Sequence, residues 1–181
     1  FDYQSPGSFI TRVQVRSPIG CVSTATDSVR IVPRFKIQPP KDTTICIGGN
    51  ASLKAEGAFS YAWSPASSLN QVVGDSVVAH PVISTLYSVV GTDKYHCFLD
   101  TGETTVFVDT LPSVSLPPDI AVLPGTAVAL DSKVSSDVIS WNWTPADWLS
   151  CMYCASPTSI PQNPVTYTLK VTTARRCVST S

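Results

Sequence analysis

YAWSPASSL (61–69) and WNWTPADWL (141–149) are one stretch written twice, 80 residues apart. Laid on one another without a gap, 61–97 and 141–177 bring Trp63 onto Trp143, Pro65 onto Pro145 and Leu69 onto Leu149. Further on, Pro81 meets Pro161, Tyr87 meets Tyr167 and Cys97 meets Cys177. Trp to Tyr is 24 residues in both copies, and Tyr to Cys is 10. Chance rarely keeps two such spacings between rare residue types. Upstream the register slips by two, with IQPP (37–40) facing SLPP (115–118). A period of about 75–80 residues is too long for a solenoid unit. It suits a small self-contained sandwich of strands.

Alternation places the strands inside each copy. Tyr167, Leu169 and Val171 alternate with Thr168, Lys170 and Thr172, one face apolar and the other wet. The first copy runs Tyr87, Val89 and Gly91 on the same face, and Thr104, Val106 and Val108 form its last strand. Leu53 and Ala55 mark an early strand; Tyr61 and Trp63 mark a central one. Pro65 and Pro145 end that central strand, because proline cannot donate to an inner ladder. No window carries a helical stripe. The first 34 residues read as turn, strand, turn, strand, with Phe9, Thr11, Val13 and Val15 on one face. Two strands cannot bury a core alone. After Cys177 only 178–181 remain, so the second copy is expected to lack its last strand.

Composition agrees and excludes several classes. The 181 residues carry 12 basic and 13 acidic side chains, a net charge of −1. A nucleic-acid module needs a basic face to neutralise phosphates. Hydrophobic residues at 43% are too many for a disordered tail. Ser and Thr make 43 residues, Val 22 and Pro 15, a composition of short strands and turns. No run of 18 apolar residues would insert into a membrane. The opening FDYQSPGSF is no signal peptide, which suggests a leader already removed or a piece of a longer chain. Six Cys with few Lys point to an oxidising exterior.

These residues resemble a known group. SPGSFITRVQV with the following Gly20-Cys21 is similar to the closing half of a PKD domain. TICIGGNASL, YAWSPASSL and HPVISTLYSVVGTD, then Cys97, resemble the Ig-like repeats of very large Bacteroidota surface proteins. Gliding-motility adhesins exported by type IX secretion are among these. The stretch WTPADWLSCMYCASPTSIPQNPVTYTLKVT resembles the same repeat with a CxxC loop. The second copy departs from the pattern, with Val122 where the first has Cys46. The resemblance implies tandem Ig-like/PKD-like antiparallel β-sandwich domains arranged as a rod. The expected boundaries are 1–34 (end of a truncated PKD-like domain), 35–110 (a complete repeat) and 111–181 (a repeat lacking its last strand).

Within an Ig-like sandwich, Cys46 before the Leu53 strand and Cys97 after the Tyr87 strand occupy positions that can meet. A Cys46–Cys97 disulfide is the expectation, against two buried free thiols. Cys151-Met-Tyr-Cys154 admits three readings. Zinc needs a second ligand pair, and a thioredoxin-like site needs a helix start in an α/β setting. A Cys151–Cys154 disulfide pinning a loop is favoured over both. Cys21 and Cys177 are then left unpaired within these residues.

Catalytic signatures are missing from the sequence: no G-x-S-x-G, H-E-x-x-H, P-loop or G-x-G-x-x-G. His80 and His96 have no nucleophile or metal companion at motif spacing. The two matched blocks share no acid, which argues against a glycosidase pair. No enzyme activity, metal or cofactor is expected. Trp148 and Tyr153 are candidate exposed aromatics for a sugar surface. In Bacteroidota, O-glycans are attached at Asp-Ser/Thr followed by an apolar residue or Thr, which makes Ser28, Thr43, Ser76 and Thr110 candidate acceptors; the competing reading is ordinary Asp-Ser and Asp-Thr turns.

The resulting expectation is a set of spacer repeats at the surface of a Gram-negative cell, holding an adhesive region outward. Expected partners are neighbouring repeats of the same chain, secretion or motility machinery and surface polysaccharide, without nucleic acid or membrane insertion. The alternatives are a direct adhesive or glycan-binding module, and an accessory region of a secreted enzyme.

Overall fold

The computed structural model describes residues 5–181; the first four residues of the expected 1–34 segment lie outside the described ones. The protein is an all-β sandwich structure, and among the described residues the one helical turn is the 3-10 turn Ala66–Ser68. Two compact units form. One takes the chain up to Pro40 with Ser52–Val77 and Tyr87–Thr104; the other takes Lys41–Ala51, Val78–Leu86 and Thr105–Ser181. Each draws on several stretches, so neither coincides with one sequence repeat.

In the first unit, β1 (Gly7–Arg16) and β2 (Val22–Ile31) form an antiparallel hairpin with Phe9 opposite Val29. The hairpin is a two-stranded sheet, and Ile10, Val13, Val15 and Val22 are exposed. Too few strands are present to cover either face. The expected turn–strand pattern is therefore present here without a core.

The same unit holds the packed centre of the first repeat. The strands after β2 are β3 (Thr43–Cys46), β4 (Ala51–Lys54), β5 (Ser60–Ser64), β6 (Ser76–Ala79), β7 (Thr85–Thr92) and β8 (Leu99–Asp109). β5 pairs with β7, setting Trp63 opposite Val89 and Tyr61 opposite Gly91. Alternate residues of both strands point inward, so Tyr61, Trp63, Tyr87 and Val89 are buried along with Leu53 and Val77 of β4 and β6. Gly91 is required: a Cβ there would lie 2.6 Å from the Ala58 side chain and 3.1 Å from Ile37. Leu69, which the repeat matches with Leu149, is only half-buried, because it follows the 3-10 turn.

The second unit contains β3 paired in parallel with the end of β8, Cys46 beside Asp109. Its other strands are β9 (Val114–Ser115), β10 (Val128–Ala129), β11 (Lys133–Val134), β12 (Val138–Thr144), β13 (Thr158–Ser159), β14 (Thr168–Thr173) and β15 (Val178–Thr180). β12, β14 and β15 form one sheet, with Trp143 opposite Leu169. Val138, Trp143, Leu169 and Val171 make its buried cluster, with Leu116, Leu130 and Tyr167 packed against it.

The two copies match bond for bond around the tryptophan. Trp63 donates its indole N–H to the Gly74 carbonyl at 2.9 Å, and Trp143 donates to the Cys154 carbonyl at 3.0 Å. The backbone N–H of Trp63 donates to the Val72 carbonyl, and that of Trp143 to the Met152 carbonyl. The Ser64–Pro65 and Thr144–Pro145 peptide bonds are both cis. Burying an indole requires a partner for its one polar atom, and the loop 11 residues downstream supplies it in each copy.

Trp143→Ala is expected to cost about 3–5 kcal/mol, since it empties the largest fully buried site. Trp63→Ala should cost a similar amount. Urea denaturation of the two variants checks this; a loss under about 1 kcal/mol for either contradicts the core assignment.

Candidate functional site: the turn cysteines and the Cys151–Cys154 loop

β8 decides the fate of Cys46. Cys46 stands beside Asp109 at the last residue of that strand, and Cys97 lies just before its first residue, Leu99. Eleven residues of strand span roughly 35 Å, whereas a disulfide needs a Cα separation below about 7 Å. The expected Cys46–Cys97 pairing is therefore incorrect. Cys46 is bonded to Cys177 instead, with Cα atoms 5.6 Å apart and a sequence separation of 131. Cys177 is thus paired rather than left over, and it is fully buried. The unpaired cysteines are Cys21 and Cys97, both exposed.

The Cys177 turn is tied to β8 a second time. Arg175 Nη1 donates to both Asp109 carboxylate oxygens, at 3.1 and 3.4 Å. The Ile47 N–H donates to the Asp109 carbonyl at 2.8 Å. Exposed ion pairs of this kind contribute little by themselves. The covalent bond closes a very long loop, for which the chain-entropy model gives about 5 kcal/mol. The sequence offered one hint: Cys97 and Cys177 are equivalent by repeat, so at most one of them could take Cys46.

Cys151 is bonded to Cys154, with Cα atoms 6.0 Å apart. The loop they close carries the carbonyl of Cys154 that accepts the Trp143 indole. In the first copy Gly74 carries that carbonyl, and Gln71 braces the loop by donating to the Ser76 carbonyl at 3.0 Å. Two different devices hold one acceptor in place. Tyr153, inside the loop, is 72% exposed, and Trp148 is 39% exposed with φ 61.

Ser28 is exposed on β2, its N–H held by Asp27 Oδ1 at 2.8 Å. Ser76 and Thr110 are exposed and Thr43 is half-buried on β3. His80 lies against the Asn50 side chain and His96 in the Asp93–Phe98 turn. Among the described residues no group of three or more His, Cys, Asp or Glu could hold a metal ion. No helix of the described residues is long and apolar enough to cross a membrane. A cleft of about 320 Å³ opens beside Trp143 between Leu116–Pro118 and Val165–Tyr167, with Asp119 its one carboxylate.

Asp93 organises its turn. Its carboxylate accepts the N–H of Tyr95 at 2.7 Å and that of Phe98 at 2.5 Å. Burial pushes this carboxyl up, but backbone donors at Phe98, Tyr95 and Cys97, helped by His96, outweigh it and hold it below the ordinary range.

No family model matches the chain, and no curated protein matches it by sequence. Solved structures do resemble it. A three-Ig fragment of titin carrying an E-to-A change is 13% identical, covers 82% of this chain and has a TM-score of 0.42. Extracellular domains 3–5 of Drosophila OTK are 9% identical over 97% of this chain and 69% of theirs, with a TM-score of 0.48. Titin domains z1z2 in complex with telethonin are 15% identical over 83% of this chain and 95% of theirs, with a TM-score of 0.35. The chain spans 62% of the length of the first titin fragment. These values are too low to carry a functional assignment.

A carboxyl depressed in the fold contributes stability that is complete above its unfolded pKa, near ~3.9, and is lost as pH falls through the folded value. Asp93→Asn should therefore lower stability at neutral pH and flatten the acid limb below about pH 4. Thermal melts from pH 2 to 7 test this; parallel acid limbs in both proteins would contradict it.

Proposed function

We propose that this chain is a run of spacer repeats from a large extracellular adhesin-type protein. It would serve a Gram-negative cell of the Bacteroidota kind, with export by type IX secretion. The Ig-like and PKD-like character rests on the sequence resemblance and the all-β fold. In this reading the repeats form a rod, with the Pro-rich stretches 33–40 and 112–118 as stiff junctions. The chain performs no catalysis. It carries an adhesive region away from the surface, and its partners are neighbouring repeats, the secretion or motility machinery and surface polysaccharide.

One observation supports this most. The Cys46–Cys177 bond closes 131 residues into a loop. Tension entering near residue 46 leaves near 177 through sulfur, without loading the strands between. Such a shunt suits a chain that bears force, and a structural disulfide suits an oxidising exterior. The exposed pair Trp148 and Tyr153, at the Cys151–Cys154 loop, favours a second reading as a direct glycan-binding module.

Protease shaving of intact cells should release peptides from 35–181, and Trp148→Ala should leave polysaccharide binding and folding unchanged. Protection of these peptides until the cells are lysed contradicts the exterior placement. A tenfold loss of polysaccharide binding in Trp148→Ala, with an unchanged melt, supports the glycan-binding reading instead.

A further inference from the structure

Among the described residues three hairpin turns carry a cysteine. In the turn carrying Cys177, the Thr173 N–H donates to the Cys177 carbonyl at 2.9 Å and the Arg176 N–H to the Thr173 carbonyl at 2.9 Å. The Cys177 N–H donates to Thr173 Oγ1 at 3.1 Å, and Arg176 has φ 66. The turn carrying Cys21 repeats this set. The Ser17 N–H donates to the Cys21 carbonyl at 2.8 Å and the Gly20 N–H to the Ser17 carbonyl at 2.9 Å. The Cys21 N–H donates to Ser17 Oγ at 3.1 Å, and Gly20 has φ 91. The turn carrying Cys97 is one residue longer and keeps the scheme. The Asp93 N–H donates to the Phe98 carbonyl, the His96 N–H to the Asp93 carbonyl, and His96 has φ 56. The Asp93 carboxylate takes the place of the Thr173 hydroxyl.

Two of these turns also reach the C-terminal end of a more distant, earlier strand. Arg175, two residues into its turn, holds Asp109 at the end of β8. Tyr95, two residues into its own turn, is hydrogen-bonded to Arg30 near the end of β2. The Arg30 guanidinium lies 4.6 Å from the centre of the Tyr95 ring, a cation–π contact. Next to Asp109 stands β3, parallel to β8, and it presents Cys46 to Cys177. Next to Arg30, β2 pairs with β1 on one edge and with no other described strand. Cys97 is exposed there, its thiol 3.7 Å from the Tyr95 carbonyl.

We propose that Cys97 is an inter-repeat disulfide site, and that its partner is a cysteine on a strand running parallel to β2 beside Arg30. That strand belongs to an earlier segment of the same protein. Successive repeats are then stapled turn to strand, each hairpin cysteine bonding the entry-strand cysteine of the repeat before it. Both thiols are oxidised: two electrons and two protons pass to a small-molecule or protein disulfide, which leaves as two thiols. The second copy offers no such entry-strand cysteine of its own, since its first cysteine is Cys151 in the loop after the tryptophan strand.

This inference rests on the exterior tandem-repeat reading above. Non-reducing peptide mapping of the natural full-length chain, alkylated before digestion, tests both separately. The expected result is a Cys97 peptide linked to a peptide that precedes residue 1, together with the Cys46–Cys177 link. Cys97 recovered alkylated, or linked to any other cysteine, while Cys46–Cys177 is intact, overturns the proposal alone. Recovery of Cys46, Cys97 and Cys177 all as alkylated thiols overturns the exterior reading with it.

Discussion

The covalent bond between Cys46 and Cys177 sets what this chain can do. Repeats of about 75–80 residues made of short strands bury few large side chains, and small cores leave little margin. A bond closing 131 residues removes much of the freedom the unfolded chain would have. It also converts a linear polymer into one whose middle is bypassed by a covalent path. The Arg175–Asp109 pair, too exposed to contribute much energy, fixes the turn in register with β8, where Cys46 stands.

Inside each repeat the organising group is the tryptophan indole. Its ring fills the core and its N–H must be satisfied. Both copies solve this with a carbonyl 11 residues downstream, yet they hold the acceptor loop differently. Gln71 and a left-handed Gly74 do so in one, and the Cys151–Cys154 bond in the other. The CxxC pair is therefore explained as a brace on a core hydrogen bond. Redox chemistry is not needed to account for it.

Much of the fold was legible because strand alternation and the 80-residue match are local signals. Trp63, Tyr87 and Val89, and Trp143, Leu169 and Val171, all lie buried on the faces their spacing indicated. Leu69 and Leu149 match in the repeat but lie beyond the alternating strand, and Leu69, after the 3-10 turn, is only half-buried. The Cys46 partner is not legible in the same way. Pairing within one repeat requires the entry strand and the hairpin turn to lie at one end. The parallel register of β3 on β8 puts them at opposite ends of an eleven-residue strand. Register between distant strands leaves no local trace in a sequence. The equivalence of Cys97 and Cys177 was visible; its meaning, that the bond runs from turn to preceding repeat, needed the geometry.

The shunt is tested most directly by pulling a single molecule from its two ends with and without reductant. With the bond intact, only residues outside 46–177 extend freely. Reductant should then add about 450 Å of contour, the length of the 131 protected residues at roughly 3.4 Å each. The same full extension in both conditions would contradict the stapled-repeat account.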